Sequence, residues 1–344
     1  MATLTAAEVA DLVAGTLKDL GRMSFQQIAQ SLQDYEVFPN WFKKDKVMFS
    51  DGIGIQRTLM NRLPDAARHV GWTDQDTPGI SDLIDQLNIP WRHVNTNWSF
   101  KRQEALMNKG KSLIFNVIEP RRAGAMVNLV EVLEQKAWDT APNTATNKTD
   151  PFGILYWVVK ASGTPSFQGG YAGSNTDVAG VSLTDSPTFK NWTGQYVLNT
   201  KADLIKKMRT MHRKVRFRSP VKSSDYATSE NYRIYVNETT ISGFEDIGES
   251  QNENLGRDIA SIDGGYLTFR KNPIRWIPYL DADTSNPVYF INHATFFPVC
   301  LAGDYLHESE PIRSNTQHDW FTVHVDMSYN YLCLDRRRNG VLYV

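Results

Sequence analysis

At the start of the chain, apolar residues return every three or four positions: Ala6, Val9, Val13, Leu17 and Leu20. With Thr5 placed to cap and Gly21 to stop, this spacing predicts a helix over 5–20. Phe25, Ile28, Ala29 and Leu32 predict a second helix from Ser24 to about Tyr35. Both precede any region able to build a core, so they read as an arm that docks on its own body or on a neighbour. From Val47 the texture changes. Val47–Phe49 and 53–59 have the character of strands, 64–79 is polar and turn-rich around Trp72, and Leu83 to Pro90 is apolar again. If the chain goes out and back, arms of about 20 residues reach on the order of 60 Å. A two-stranded hairpin is marginally stable alone, so such an extension requires a surface to lie on.

Trp98 to Trp138 is the longest helix-compatible stretch, with Leu106, Leu113, Ile114, Val117, Ile118, Ala125, Leu129, Val132 and Leu133 at helical spacing. Glu131, Glu134, Gln135 and Lys136 are assigned to its polar side. Pro120 predicts either a kink or a fresh helix that holds it in the first turn. Beyond a polar linker at 143–149, the apolar run Phe152 to Val159 reads as a strand. The glycine-rich passages 168–173 and 191–194 read as loop with short strands, and Ala202 to about Arg213 as helix. Tyr232 to Asn237 is a strand that ends in a turn, followed by a helical stretch. Tyr266–Phe269 and Ile274–Leu280 flank Arg270-Lys-Asn-Pro273 as a hairpin, and Val288–Ile291 is a further strand. After a polar loop over 304–318, residues 318–326 and 329–335 are closing strands that must pair with something earlier. Arg336-Arg-Arg-Asn339-Gly340 reads as a charged turn, and 341–344 as a short apolar tail.

With 344 residues, 41% hydrophobic and 22% charged, the chain is globular and long enough for two compact regions. Its 37 Lys and Arg balance 38 Asp and Glu to a net charge of -1, which excludes a protein that coats nucleic acid by bulk charge. Two cysteines, Cys300 and Cys333, cannot make a disulfide framework and read as small buried hydrophobes. The start of the sequence has no signal-peptide pattern, and no apolar run approaches the ~20 residues of a membrane span.

Candidate chemistry is thin. Ala105 to Ser112 imitates a phosphate loop, but its first glycine is Ala105 and no buried strand precedes it, so an exposed helix turn is favoured. Asp281 to Asn286 lacks the central glycine and the closing glutamate of a calcium loop and reads as a solvated turn. The seven histidines have no ligand spacing, and His318-Asp319 has no serine to serve. These features predict no cofactor, no metal and no catalytic residues. From Lys201 to Lys222 nine Lys and Arg face one acid, Asp203. That run is either a solvated helix face or a contact with nucleic acid or an acidic neighbour.

The order strand, helical stretch, hairpin, strand, written in Tyr232–Asn237 and in Gly264 to Asn292, resembles the axial domain of tailed-phage major capsid proteins of the Hong Kong 97 fold. The wording Phe269-Arg-Lys-Asn-Pro-Ile274, Ile277-Pro278, Asp281 and Val288-Tyr-Phe-Ile291 carries the likeness. It implies an α+β fold with an N-terminal arm (1–46), an extended β-hairpin loop (47–97), and a spine helix with the start of the peripheral domain (98–150). A mainly axial domain (151–300) and closing peripheral strands (301–344) complete it. The resemblance also implies a non-enzymatic protein that self-assembles through hexamers and pentamers into an icosahedral head enclosing double-stranded DNA, without reading its sequence. Implied contact residues between subunits are Arg57, Arg62, Arg68, Trp72 and Trp91 on the loop, and Arg209, Arg213 and Arg216 on the axial helix. A chain that begins at Met1 and reaches the loop within some fifty residues implies a separate scaffolding protein, alongside a portal and decoration proteins. The implied location is the virion, after assembly in the host cytoplasm. An encapsulin-like cellular shell shares the fold, and a carbohydrate-active β-domain enzyme is the alternative from another class.

Overall fold

The computed structural model describes residues 29–50, 52–60, 62–63, 67–73, 75, 83–107, 118–143, 145–217, 230–249, 267–314 and 317–344. The helix expected over 5–20, the start of the one expected from Ser24, and the second half of the phosphate-loop-like stretch lie outside these residues. The chain divides into two compact units that interleave in sequence. One comprises Met1–Gln33, His93–Leu133 and Gly303–Ser328; the other comprises Asp34–Arg92, Glu134–Ala302 and Tyr329–Val344.

The smaller unit is built on strand pairing around the first part of the strand Trp320–Cys333. His307–Glu308 and Ile312–Arg313 pair antiparallel with it, so the segment expected as plain loop contains two short strands. The strand Arg92–Lys101 also pairs with it, and so strand replaces helix at 98–101. Trp98, Phe100 and Phe321 stack at centroid distances of 5.7 and 5.6 Å. Aromatic side chains that alternate down a strand are what this stacking requires. The helix Ile118–Trp138 carries Pro120 in its first turn, the position where the missing N–H costs nothing. Its buried Ala125 and Leu129 recur at i and i+4 as expected.

The larger unit holds a seven-stranded sheet in the order Ser166–Gly169, Asn191–Gln195, Gly340–Tyr343, Val288–Asn292, Tyr232–Val236, Asn272–Trp276, Thr268–Phe269. Val288–Asn292 is buried throughout and sits at the centre, antiparallel to both neighbours. The Thr268–Phe269 and Asn272–Trp276 hairpin turns on Arg270 and Lys271 alone, both at positive φ (52° and 67°). Two central residues of that kind make a type I′ turn, which matches strand twist. Asn272 and Pro273 are therefore strand, and the second arm stops at Trp276 where a 3-10 turn, Pro278–Ala282, begins. Helices Lys206–Val215 and Glu238–Glu249 send Met208, Met211, Val215 and Phe244 into one cluster with Ile234, Val236, Phe290 and Leu342 of the sheet.

Three segments of this unit depart from expectation. Phe152–Val159 is not a strand: Ile154–Trp157 forms one helical turn, with Phe152 stacked on Tyr156 at 4.0 Å. An apolar run buried on all sides has no period to distinguish the two. Residues 29–35 are not helical, and the helix falls instead at Val37–Asp45, where Trp41 is fully buried. The supposed tail Gly340–Tyr343 is a core strand between Asn191–Gln195 and Val288–Asn292, parallel to the first and antiparallel to the second. Cys300 and Cys333 are buried, and burial pushes both thiols up to about 12, consistent with a packing role.

Candidate functional site

The hairpin Gly54–Met60 with Ile84–Pro90 pairs in antiparallel register from Gly54↔Pro90 to Met60↔Ile84. Seven residues per strand make a ladder of about 20 Å, a third of the reach estimated from sequence. Its base is anchored to its own unit. Ile55, Leu87 and Ile89 are fully buried. The Asn88 amide donates to the Ala179 carbonyl at 2.8 Å, and the Ser186 hydroxyl donates to Asp85. Gly180, in van der Waals reach of Asn88, adopts φ 84°, a backbone conformation that favours glycine. The Trp91 indole donates to the Gly52 carbonyl at 2.9 Å, so this residue closes the base and is only partly exposed.

Away from the base the apolar side chains face water. Met60, Leu63, Val70 and Ile84 are all more than half exposed, and Trp72 is 106% exposed, with no contact to shield it. Arg62 donates through Nε and Nη2 to the Asp185 carbonyl at 3.0 and 2.6 Å. Arg57 lies over the Phe49 ring at 4.9 Å, and Arg68 donates to the Gln75 carbonyl at 2.8 Å. Met60 and Ile84 are cross-strand partners, so their exposed apolar side chains lie side by side at the end of the ladder. Sequence reasoning named Trp72 and the arginines and missed Met60, Leu63, Val70 and Ile84. Met60 and Ile84 sit at the outer ends of their strands, whereas Leu63 and Val70 lie outside any strand, where no alternation marks them.

The second surface is the basic helix. Arg209 and Arg213 are exposed, whereas Arg216 is partly buried and paired with Glu230. Lys207 pairs with Asp203 at 2.5 Å. That contact, with Asp203 also accepting the Val197 and Leu198 amides, holds the Asp203 carboxyl down to about 2. The result is a fixed loop that presents Val197 and Leu198, 74% and 61% exposed, just ahead of the helix. Neither residue was singled out in the sequence.

Two buried constellations lie elsewhere in the larger unit. Arg336 has no exposure and donates to the carbonyls of Trp157, Phe189 and Gly170 at 2.8–2.9 Å and to Asn191 Oδ1 at 3.3 Å. The expected charged turn is therefore a core clamp, and burial alone pulls the Arg336 guanidinium down to about 10. Glu134, assigned above to the polar side of its helix, is 1% exposed. Its carboxylate accepts the Glu36 and Val37 amides at 3.2 and 2.8 Å and the Trp138 indole at 3.1 Å. It thereby caps the start of the Val37–Asp45 helix, whose Trp41 indole donates to the Tyr235 hydroxyl at 2.9 Å. Burial pushes the Glu134 carboxyl up to about 7 and raises Glu36 as well.

Among the described residues, no group of three or more His, Cys, Asp or Glu could hold a metal, and no helix is long and apolar enough to cross a membrane. An open groove in the smaller unit is lined by Thr96, Trp98, Ser99, Arg121 and Asn128. Its one cation, Arg121, is already held by Glu104 and the Ser99 carbonyl.

No protein-family profile matches the sequence, and no curated protein matches it by sequence. By structure the chain is similar to a protein of the cyanophage A-1(L) capsid asymmetric unit, with a TM-score of 0.61 at 14% identity over 94% of this chain and 96% of that one. It is also similar to the capsid of a native GTA particle, with a TM-score of 0.56 at 11% identity over 99% of both chains. Against a structure of Mycobacterium phage Bobi the TM-score is 0.51 at 10% identity, again over 99% of both. Likeness over the full length at such low identity is a statement about architecture, and by that measure this chain has the α+β fold of phage capsid proteins.

Proposed function

We propose that this chain is a major capsid protein that self-assembles into the icosahedral head of a tailed bacteriophage enclosing double-stranded DNA. One observation carries the reading: a chain with the fold of phage capsid proteins leaves Met60, Leu63, Val70, Trp72 and Ile84 in water on a hairpin whose base is firmly fixed. A rigid base with an uncovered apolar end is suited to overlie an adjacent copy. The hairpin within 47–97 takes the place of the extended loop, and Ile118–Trp138 that of the spine helix. The seven-stranded sheet with its two helices takes that of the axial domain, and Trp320–Cys333 that of the closing peripheral strands. Residues 1–46 are assigned to the arm. Copies group into hexamers and pentamers, each contact modest and repeated many times by symmetry. The net charge of -1 suits a container for DNA that does not bind it tightly. A separate scaffolding protein, a portal and decoration proteins complete the head, and the work is structural, without catalysis.

Sedimentation of the purified chain tests this. Closed particles in the megadalton range are expected, and a chain that stays monomeric under every assembly condition overturns the reading.

A further inference from the structure

The two helices packed on the seven-stranded sheet carry opposite charge. On Lys206–Val215 the residues facing the core are Met208, Met211, His212 and Val215, and the exposed side presents Lys206, Arg209, Arg213 and Lys214. On Glu238–Glu249 the core face is Thr240 and Phe244, and the exposed side presents Glu238, Glu245 and Asp246 with no basic residue anywhere in the helix. Lys207 and Arg216 are neutralised within the chain by Asp203 and Glu230. The exposed cations and carboxylates named here form no ion pair among the described residues, although both helices feed one hydrophobic cluster. The two stripes are also commensurate. Lys206 to Arg213 and Glu238 to Glu245 each cover two helical turns, about 10 Å at 1.5 Å per residue.

We infer that the basic helix of one copy docks against the acidic helix of the next, a head-to-tail contact that gives each subunit one donor face and one acceptor face. Such a heterologous contact propagates from copy to copy and closes into a ring when the rotation permits, which two identical faces meeting about a twofold axis do not do. Complementary stripes of this kind set register and speed encounter more than they set affinity, and they weaken as salt screens them. A second copy fits both stripes at once, whereas a nucleic acid fits only the basic one. The inference rests on the shell reading above and names a pair of faces within it.

Three variants decide it: Arg209→Glu with Arg213→Glu, Glu245→Lys with Asp246→Lys, and all four changes together. Either pair alone is expected to lower the yield of sedimenting particles on the order of tenfold, since like charges then face each other. The fourfold variant is expected to return to near the wild-type yield, because the faces are again complementary with their signs exchanged. Urea midpoints of the dissociated subunits are expected to match in all four proteins, and wild-type assembly is expected to slow as salt rises to about 0.5 M. Wild-type particles formed equally well by both paired variants overturn the helix contact and leave the shell reading standing. Failure of the fourfold variant to recover, with urea midpoints matched, also overturns it, as does salt-dependent DNA binding lost only with the basic stripe. A wild-type chain that never assembles removes the shell reading itself.

Discussion

Two segments of the larger unit reverse the usual placement of charge and oil. At 336–338 a run of three arginines places Arg336 and Arg338 in the interior, while between 60 and 84 Met60, Leu63, Val70, Trp72 and Ile84 stand in water. The difference lies in whether each group is satisfied. Arg336 meets three carbonyls and an amide oxygen in a geometry that a planar guanidinium matches, so its burial is complete and self-contained. Met60, Leu63, Val70 and Trp72 are largely exposed, which leaves their apolar surface in water. The first segment is satisfied within one chain, and the second carries the proposed contact with another copy.

The comparison can be broken most sharply at the clamp. Arg336→Met removes the donors that the buried Trp157 and Phe189 carbonyls accept from, at a cost on the order of 3–5 kcal/mol in subunit stability by urea unfolding. Arg336→Lys is expected to recover little, since one ammonium cannot reach all of them. A midpoint unchanged by Arg336→Met would mean that the arginine is dispensable to the core.

A smaller effect is expected at Glu134, the other charge held inside. Its carboxyl is raised from the ordinary 4.5 to about 7, so between those values the native chain holds a proton that the unfolded chain has released. The stability this contributes is fully present below about 4.5 and is lost as pH rises through about 7, on the order of 3 kcal/mol. Glu134→Gln is therefore expected to flatten the fall in urea midpoint between pH 5 and pH 8. An equal slope in both proteins would show that Glu134 is already ionised throughout.

At the hairpin the order of effects inverts. Trp72→Glu or Leu63→Glu is expected to move subunit stability by less than about 0.5 kcal/mol, because no intramolecular contact is lost. The same changes are expected to abolish closed particles, read by sedimentation. Arg57→Ala removes the guanidinium over Phe49 and is expected to cost below about 1 kcal/mol in subunit stability by urea unfolding.

How much of this was legible in the sequence follows the same division. Strands with period-two alternation or a dense β-branched run, such as Gly54–Met60, Ile84–Pro90 and Val288–Asn292, could be read locally, and so could the helix after Pro120. The resemblance to phage capsid proteins came from the order of such elements, and the full-length structural likeness agrees with it. What could not be read depended on partners far along the chain. Arg336 is a clamp because Trp157, Phe189 and Gly170 bring their carbonyls to it, and Glu134 is buried because Val37 arrives as a helix start. Phe152–Val159 failed for a different reason, since an apolar segment surrounded by core has no polar face to set its period. Among the contact candidates, Trp72 was named from its setting in a polar stretch and is fully exposed, while the pairing of Arg216 with Glu230, fourteen residues away, could not be read from the local sequence.

The central claim is that the outer end of the hairpin is covered only by another copy of the chain. Hydroxyl-radical labelling of Trp72 and Met60, compared between dissociated subunits and sedimented particles, tests it most directly. Strong labelling in the subunit and marked protection in the particle are predicted. Equal labelling of both residues in the two states would contradict the account.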